Sequence, residues 1–273
     1  MTKTQKIIKY CAIALAVLLI VSILSGILHA FAALSFLFSD EKELVGETKI
    51  YSLSDLETVR NLEISIGAAA LEIQNGETFA LESNHRYLTA KVKNGTLLIE
   101  ENIPFWVRNA SGVKVILTVP EEFYFHHADI ETGAGTLSVQ ALYTKELSME
   151  LGAGETIFEN LTVTEEAEIQ TGVGKFTIFG GQIAELDLEV GVGDVCVTTA
   201  LLKEGEFDCG IGNTEIIFIG RKEDYCIAVN KGIGAATVDG KTVSNSSNIG
   251  NGSVRAQING GIGDIEIQFI SEK

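Results

Sequence analysis

Seven times this chain sets two glycines one residue apart in nearly the same context: "IETGAGTLSV" from Ile130, "MELGAGETIF" from Met149, "IQTGVGKFTI" from Ile169, "LEVGVGDVCV" from Leu188, "FDCGIGNTEI" from Phe207, "VNKGIGAATV" from Val229 and "INGGIGDIEI" from Ile258. A diverged copy, "ISIGAAALEI", starts at Ile64. Glycine-rich turns can cradle phosphate on backbone N–H groups, but only in a strand–turn–helix context such as G-x-x-x-x-G-K-[ST] or G-x-G-x-x-G. No copy here is followed by a helical pattern, so nucleotide binding is excluded. Calcium-binding rolls use G-G-x-G-x-D. "GGIGDIEI" at Gly260 comes near, but Asp264 stands one residue too early and no other copy pairs its glycines that way. The glycines Gly133, Gly135, Gly152, Gly154, Gly172, Gly174, Gly191, Gly193, Gly210, Gly212, Gly232, Gly234, Gly261 and Gly263 are therefore read as structural, and no cofactor is implied.

Two residues before the first glycine, Glu131, Glu150, Gln170, Glu189 and Asp208 recur in column. Carboxylates one strand apart repel and raise each other's pKa. Glu131, Glu150, Glu189 and Asp208 could form a weak divalent-cation stripe; the simpler reading is a solvated face that keeps an acidic protein soluble. His126 and His127 adjoin Asp129, but neighbours along a strand point to opposite faces. No Ser–His–Asp or Cys–His set is visible. A polysaccharide-degrading β-helix would need a cleft of converging carboxylates or bases, so the chain is read as non-catalytic. Cys196, Cys209 and Cys226 show no C-x-x-C spacing and no histidine at metal-ligand spacing, and read as packed thiols.

The repeat also dictates what positions these residues. The first glycines of consecutive copies, Gly133, Gly152, Gly172, Gly191 and Gly210, are 19 or 20 residues apart; Gly232 and Gly261 follow after steps of 22 and 29. A fixed period near 20 marks a solenoid. Three positions before the first glycine stand Ile64, Ile130, Met149, Ile169, Leu188, Phe207, Val229 and Ile258, all apolar, and the next position is always polar. Alternation with period 2 is the strand signature. It slips by one across the glycines, as at a bulge or corner. The residues between the glycines, Ala134, Ala153, Val173, Val192, Ile211, Ile233 and Ile262, grow along the chain and are expected to fill a widening interior. Stacked units would bury what one unit cannot. The fold class is thus all-β, a single-stranded β-solenoid of about 20-residue rungs, right-handed if strand twist decides.

Its ends need caps. "LTAKVKNGTLLIEE" reads as a hairpin around Asn94-Gly95, and "VKVILTVPEEF" as a strand ended by Pro120. "IPFWV", with the sole tryptophan, Trp106, and "FYFHH" from Phe123 are expected to plug an open end. Gly240 to Gly252 reads as a surface loop inserted into one coil.

The first forty residues differ. Lys3, Lys6 and Lys9 precede an apolar run in which no charged residue occurs until Asp40. A membrane span needs about 20 apolar residues, which Tyr10 to Leu28 nearly supplies. The flanking charges place the N-terminus inside. Ala30-Phe31-Ala32 resembles a signal cleavage site, but the run is longer than a signal core. Expected boundaries are a cytoplasmic tail at 1–9, an anchor at 10–38, an N-terminal rung with capping strands at 39–129 and the Gly-x-Gly solenoid at 130–273. The 273 residues carry a net charge of −17, which excludes nucleic acid and argues against docking on anionic headgroups.

"VILTVPEEFYFHHADIETGAGTLSV", Val115 to Val139, resembles the bacterial putative-adhesin family of unknown function. The carrying residues are Pro120, Gly133 and Gly135 with the rungs that follow, over roughly residues 50 to 270. The resemblance implies a β-solenoid behind a membrane anchor in a Gram-positive envelope, and relatives that look like parts of envelope-stress signalling. It carries no catalytic residues. The chain departs from the pattern at Ala69, Lys231 and Gly260. The expected role is a membrane-anchored extracytoplasmic binding or adhesion module whose partner is a cell-wall polymer or envelope protein. The alternative is an accessory sensor or regulator acting through a membrane partner.

Overall fold

The computed structural model of the protein describes residues 44–103, 112–244 and 247–270. The expected tail and anchor, and Trp106, lie outside them. Among the described residues no helix is long and apolar enough to cross a membrane. The described chain is all-β. Strands β1 (Val45–Ile50), β2 (Asn61–Gly76), β3 (Ala80–His85), β4 (Leu88–Lys93), β5 (Thr96–Glu101) and β6 (Lys114–Pro120) come first. Then follow β7 (Tyr124–Ile178), β8 (Gly181–Val192), β9 (Val195–Ile211) and β10 (Thr214–Ile219). The last are β11 (Tyr225–Asn230), β12 (Ala236–Val238), β13 (Lys241–Thr242), β14 (Ser247–Ile249), β15 (Val254–Ile262) and β16 (Ile265–Ile270). All join one open sheet.

The repeat is the stacking unit. Ile64 pairs with Ile130, Ile169 with Leu188, and Leu188 with Phe207, all in parallel. Each rung thus lies on the one a repeat away, like residue over like residue. The extra residue of the one 20-residue step is absorbed at a register shift between Val163 and Glu166. The column three before the glycine is buried throughout, from Ile64 to Ile258. So are Leu137, Val139, Phe176, Ile178, Val195, Val197, Ile265 and Ile267 beyond it. Each such aliphatic side chain contributes about 1.5–3 kcal/mol by leaving water.

The corner explains the glycines. At Gly193 φ is +152°, a conformation that L side chains rarely adopt, and a Cβ there would overlap the Gly174 carbonyl oxygen one rung away. The first glycines are crowded in the same way by the rung beneath: a Cβ at Gly172 would overlap the Gly152 carbonyl. Ala69, which replaces a second glycine, does not adopt positive φ.

Two expectations change here. First, the residues between the glycines do not fill the interior. Val173, Val192, Ile211, Ile262 and Ile233 are 56, 43, 50, 49 and 72% exposed. The turn leaves the first glycine and the three residues after it facing out, so the alternation returns to the core only at the fourth. Second, layer order departs from chain order at both ends. The layer of β5 and β6 lies under β2, on the side away from β7. At the other end the Ile258 rung slots between those of Phe207 and Val229. The 29-residue step is therefore a return path rather than a loop in one coil: it carries the chain back past the terminal layer, laying β13 and β14 antiparallel on the edges of β12 and β11. The stretch from Phe123 leads from β6 into β7, with Phe125 wholly buried in the core. Phe79 and Phe123, partly buried, pack against that core, with ring centroids 4.8 Å apart between Phe123 and both Phe79 and Phe125.

The first cap matches expectation. β4 and β5 form a hairpin whose turn residues Asn94 and Gly95 both have positive φ, as a type I′ turn requires. β4 thereby covers the outer edge of β5, and β3 that of β6.

Two outcomes test this corner in denaturant melts. Ile169→Ala should lose about 2–5 kcal/mol of stability, whereas Val173→Ala in the same rung should change it by less than about 0.5 kcal/mol. Gly193→Ala should cost about 3 kcal/mol or more, from strain plus overlap with the neighbouring rung; a neutral result would show that the corner relaxes.

Candidate functional site

The missing side chains of the first-glycine column leave a trough along the stack. It encloses about 980 Å³ and runs unbroken from Ser65–Gly67 to Asn259–Gly261. Its floor is the glycine column and the residue before it. One wall is the column two before the glycine, so Glu131, Glu150, Glu189 and Asp208 all line it. All four residues of the expected stripe stand along this one wall. Gln170 separates Glu131 and Glu150 from Glu189 and Asp208, and the ends of the row are hydrogen-bonded: Ser65 donates to Glu131 at 3.1 Å and Asn259 to Asp208 at 2.6 Å. Among the described residues no three His, Cys, Asp or Glu side chains converge as metal ligands. The lining includes no lysine, arginine, histidine or aromatic residue.

The acidic face is wider than that wall. Reading outward from the glycine stops at the first polar column, but the same period continues at four and six residues before it. There Glu63 pairs with Asp129, Glu166 with Glu185, Glu168 with Asp187, Glu185 with Glu204, and Asp187 with Glu206. Partial relief comes from Lys203 on Glu185 at 2.9 Å, Arg255 near Glu204 at 3.9 Å and the Gln257 amide on Glu206 at 2.7 Å. Burial, then the Glu168 and Asp208 carboxylates, hold the Asp187 carboxyl above its ordinary range. Burial and Glu131 do the same for Asp129, with His127 opposing in part.

Glu101 closes one end of the trough. It accepts the Gly67 N–H at 2.7 Å on one oxygen, and its other oxygen lies 3.0 Å from His85 Nε2. Nδ1 of buried His85 accepts the Tyr87 N–H at 3.1 Å, so the ring proton sits on Nε2 and is donated to Glu101. The pair ties the capping strands to the first corner. Sequence reading missed it because the two residues come from different strands, and no local motif joins them. Two of the departures from the repeat also find their reasons. A Cβ at Gly260 would stand 2.6 Å from Ile265 Cδ1, so the glycine makes room for that side chain. Lys231 turns its ammonium to the Gly234 carbonyl at 2.7 Å.

The thiols Cys196, Cys209 and Cys226 are free and half-buried. Burial pushes the Cys196 and Cys209 thiols up, with the Glu215 carboxylate adding to Cys196. Neither is activated as a nucleophile. His127 and Asp129 sit two apart on the acidic face, and His127 reaches Glu146 at 3.4 Å.

The crowded carboxylates fix a pH dependence. A carboxyl with a raised folded pKa binds more protons in the native state, so its penalty is full above that pKa. The penalty fades as pH falls through it towards the ordinary value of 3.8. Asp187→Asn should therefore raise the melting temperature at neutral pH, and the gap from wild type should shrink as pH falls towards about 4. Parallel melting curves across that range would refute the crowding.

None of the curated proteins matches the chain. Among solved structures, the chain is similar to a putative adhesin from Bacteroides fragilis NCTC 9343, at 14% identity and TM-score 0.45, covering 82% of this chain and 99% of that one. It is similar to a putative adhesin from Parabacteroides distasonis ATCC 8503, at 16% and 0.46, covering 83% and 100%. A putative lipid binding protein from the same strain gives 15% and 0.42, covering 82% and 99%. The family model described as Toastrack DUF4097 matches residues 59–272, the Ile64 rung to the last strand. The chain belongs to the Toastrack DUF4097 family.

Proposed function

We propose that this protein is a membrane-anchored extracytoplasmic binding or adhesion module of the bacterial cell envelope, with the trough as its binding surface. One observation carries this: an open trough of about 980 Å³ crosses seven rungs without a break. A rigid stack that repeats one surface at fixed spacing suits an extended partner better than a small compact one. At about 4.8 Å per rung, the trough is about 29 Å long.

The rest of the proposal comes from the sequence. Residues 10–38 are the anchor, Lys3, Lys6 and Lys9 hold the N-terminus in the cytoplasm, and the solenoid stands outside, coiled right-handed. The partner is a cell-wall polymer or an envelope protein.

The test is capture from solubilised membranes and purified wall by tagged full-length protein, with the variant Glu150→Arg/Glu189→Arg alongside. The two arginines would bridge and fill the trough from its acidic wall. Loss of most of the captured material in the variant supports the trough. Equal capture by both proteins removes it. If the catch is then a membrane protein alone, regulation through a membrane partner takes its place.

A further inference from the structure

The residues between the glycines form a second feature that the trough alone does not explain. Val173 pairs with Val192, Val192 with Ile211, Ile211 with Ile262, and Ile262 with Ile233. This is a continuous ladder of five β-branched side chains, each 43–72% exposed. It stands one residue beyond the glycine floor at Gly172, Gly191, Gly210 and Gly261, while Ala68, Ala134 and Ala153 take that place in the first three rungs of the trough. The trough is lined by the carboxylate column, the column after it and the first glycines, and the ridge runs alongside, one residue past that glycine floor, outside the lining itself.

Charge decides what can cover such a ridge. A second copy of this chain would bring one acidic face against another, at a net charge of −17 each. An anionic polymer or lipid surface meets the same repulsion. A neutral glycan finds no aromatic platform in the trough, since no lining residue is aromatic. The floor offers few hydrogen bonds, because its backbone groups are engaged between rungs. A cationic extended polypeptide meets none of these objections. Its alternate side chains point to opposite sides, so a strand with basic and apolar residues in alternation would set its bases on Glu150, Glu189 and Asp208 and its apolar groups on Val192 and Ile211. At about 3.3 Å per residue, nine residues span the trough. Resting on the binding reading above, we infer that the partner is a polypeptide segment of this kind, basic and apolar in alternation, laid along the stack between the acidic wall and the aliphatic ridge.

The test is fluorescence anisotropy on the full-length protein in detergent, with a labelled ten-residue peptide of alternating lysine and valine. Peptides of alternating lysine and serine, and of glutamate and valine, run beside it. The wall variant Glu150→Gln/Glu189→Gln/Asp208→Asn should weaken lysine–valine binding by about tenfold or more, and added salt should weaken the wild type likewise. The ridge variant Val192→Ser/Ile211→Ser should weaken lysine–valine binding by about fivefold and leave lysine–serine binding unchanged. The variant Glu159→Gln/Glu266→Gln, on the other half of the rungs, should bind as wild type does. All of these positions are exposed or partly so, and melting temperatures would confirm folding. The inference is overturned if the control variant loses as much as the wall variant, if the ridge variant loses nothing, or if sedimentation shows a dimer that the ridge variant dissolves. Capture of envelope material through the trough without binding of the lysine–valine peptide would overturn the ligand class and leave the binding module standing. Loss of both would overturn both.

Discussion

The stack depends on one close approach. At each corner the backbone of one rung passes so near the carbonyl oxygens of the next that a methyl group would overlap them, at Gly172 over Gly152 and at Gly193 over Gly174. Only glycine fits, and only glycine takes φ near +150° without strain. Two glycines per rung let the chain turn sharply and still hydrogen-bond to its neighbour on both sides of the bend. Register follows from this. A rung displaced by one residue would put a side chain where the corner tolerates none.

The same corner makes the outer surface. The chain leaves the core after the residue before the first glycine and re-enters at the fourth residue after it. What lies between faces solvent: a bare glycine, an aliphatic side chain, a second glycine and a mostly polar residue. Stacked, these become a trough, a ridge and a bare strip. Function and fold are therefore coupled. The glycines that permit stacking also clear the trough floor, and no side chain could be added there without disturbing the rung beneath.

The charged face shows how a repeat multiplies a local choice. One acid per rung two residues before the glycine is harmless; ladders at three outward columns crowd carboxylates enough to raise Asp129 and Asp187. Amides at Gln170, Gln257 and Asn259 interrupt the ladders and donate to neighbouring acids. The ends follow a different rule. Each terminal layer is covered by antiparallel strands, which leave only short outer edges: β4 and, laid over β3, β1 at one end, β14 and β13 at the other. To lay those strands, the chain must overshoot its last layer and double back, and this is why layer order and chain order part company there.

Much of the fold was legible in the sequence. The 19-residue period gave the rung, the alternation gave its buried column from Ile64 to Ile258, and Asn94-Gly95 announced the capping hairpin, because each is a local pattern with a local cause. The acidic wall of the candidate site was legible too, since its period is that of the glycines. Three things were decided only in three dimensions. Val173 to Ile233 look like core residues, but apolarity does not say which way a residue points once a glycine corner has broken the alternation. The order of the last two rungs is invisible because every rung carries the same pattern, so any rung can in principle lie on any other; the capping strands break the tie. Glu101 and His85 meet across separate strands, and their pairing exists only once the first layer has been placed beneath the second.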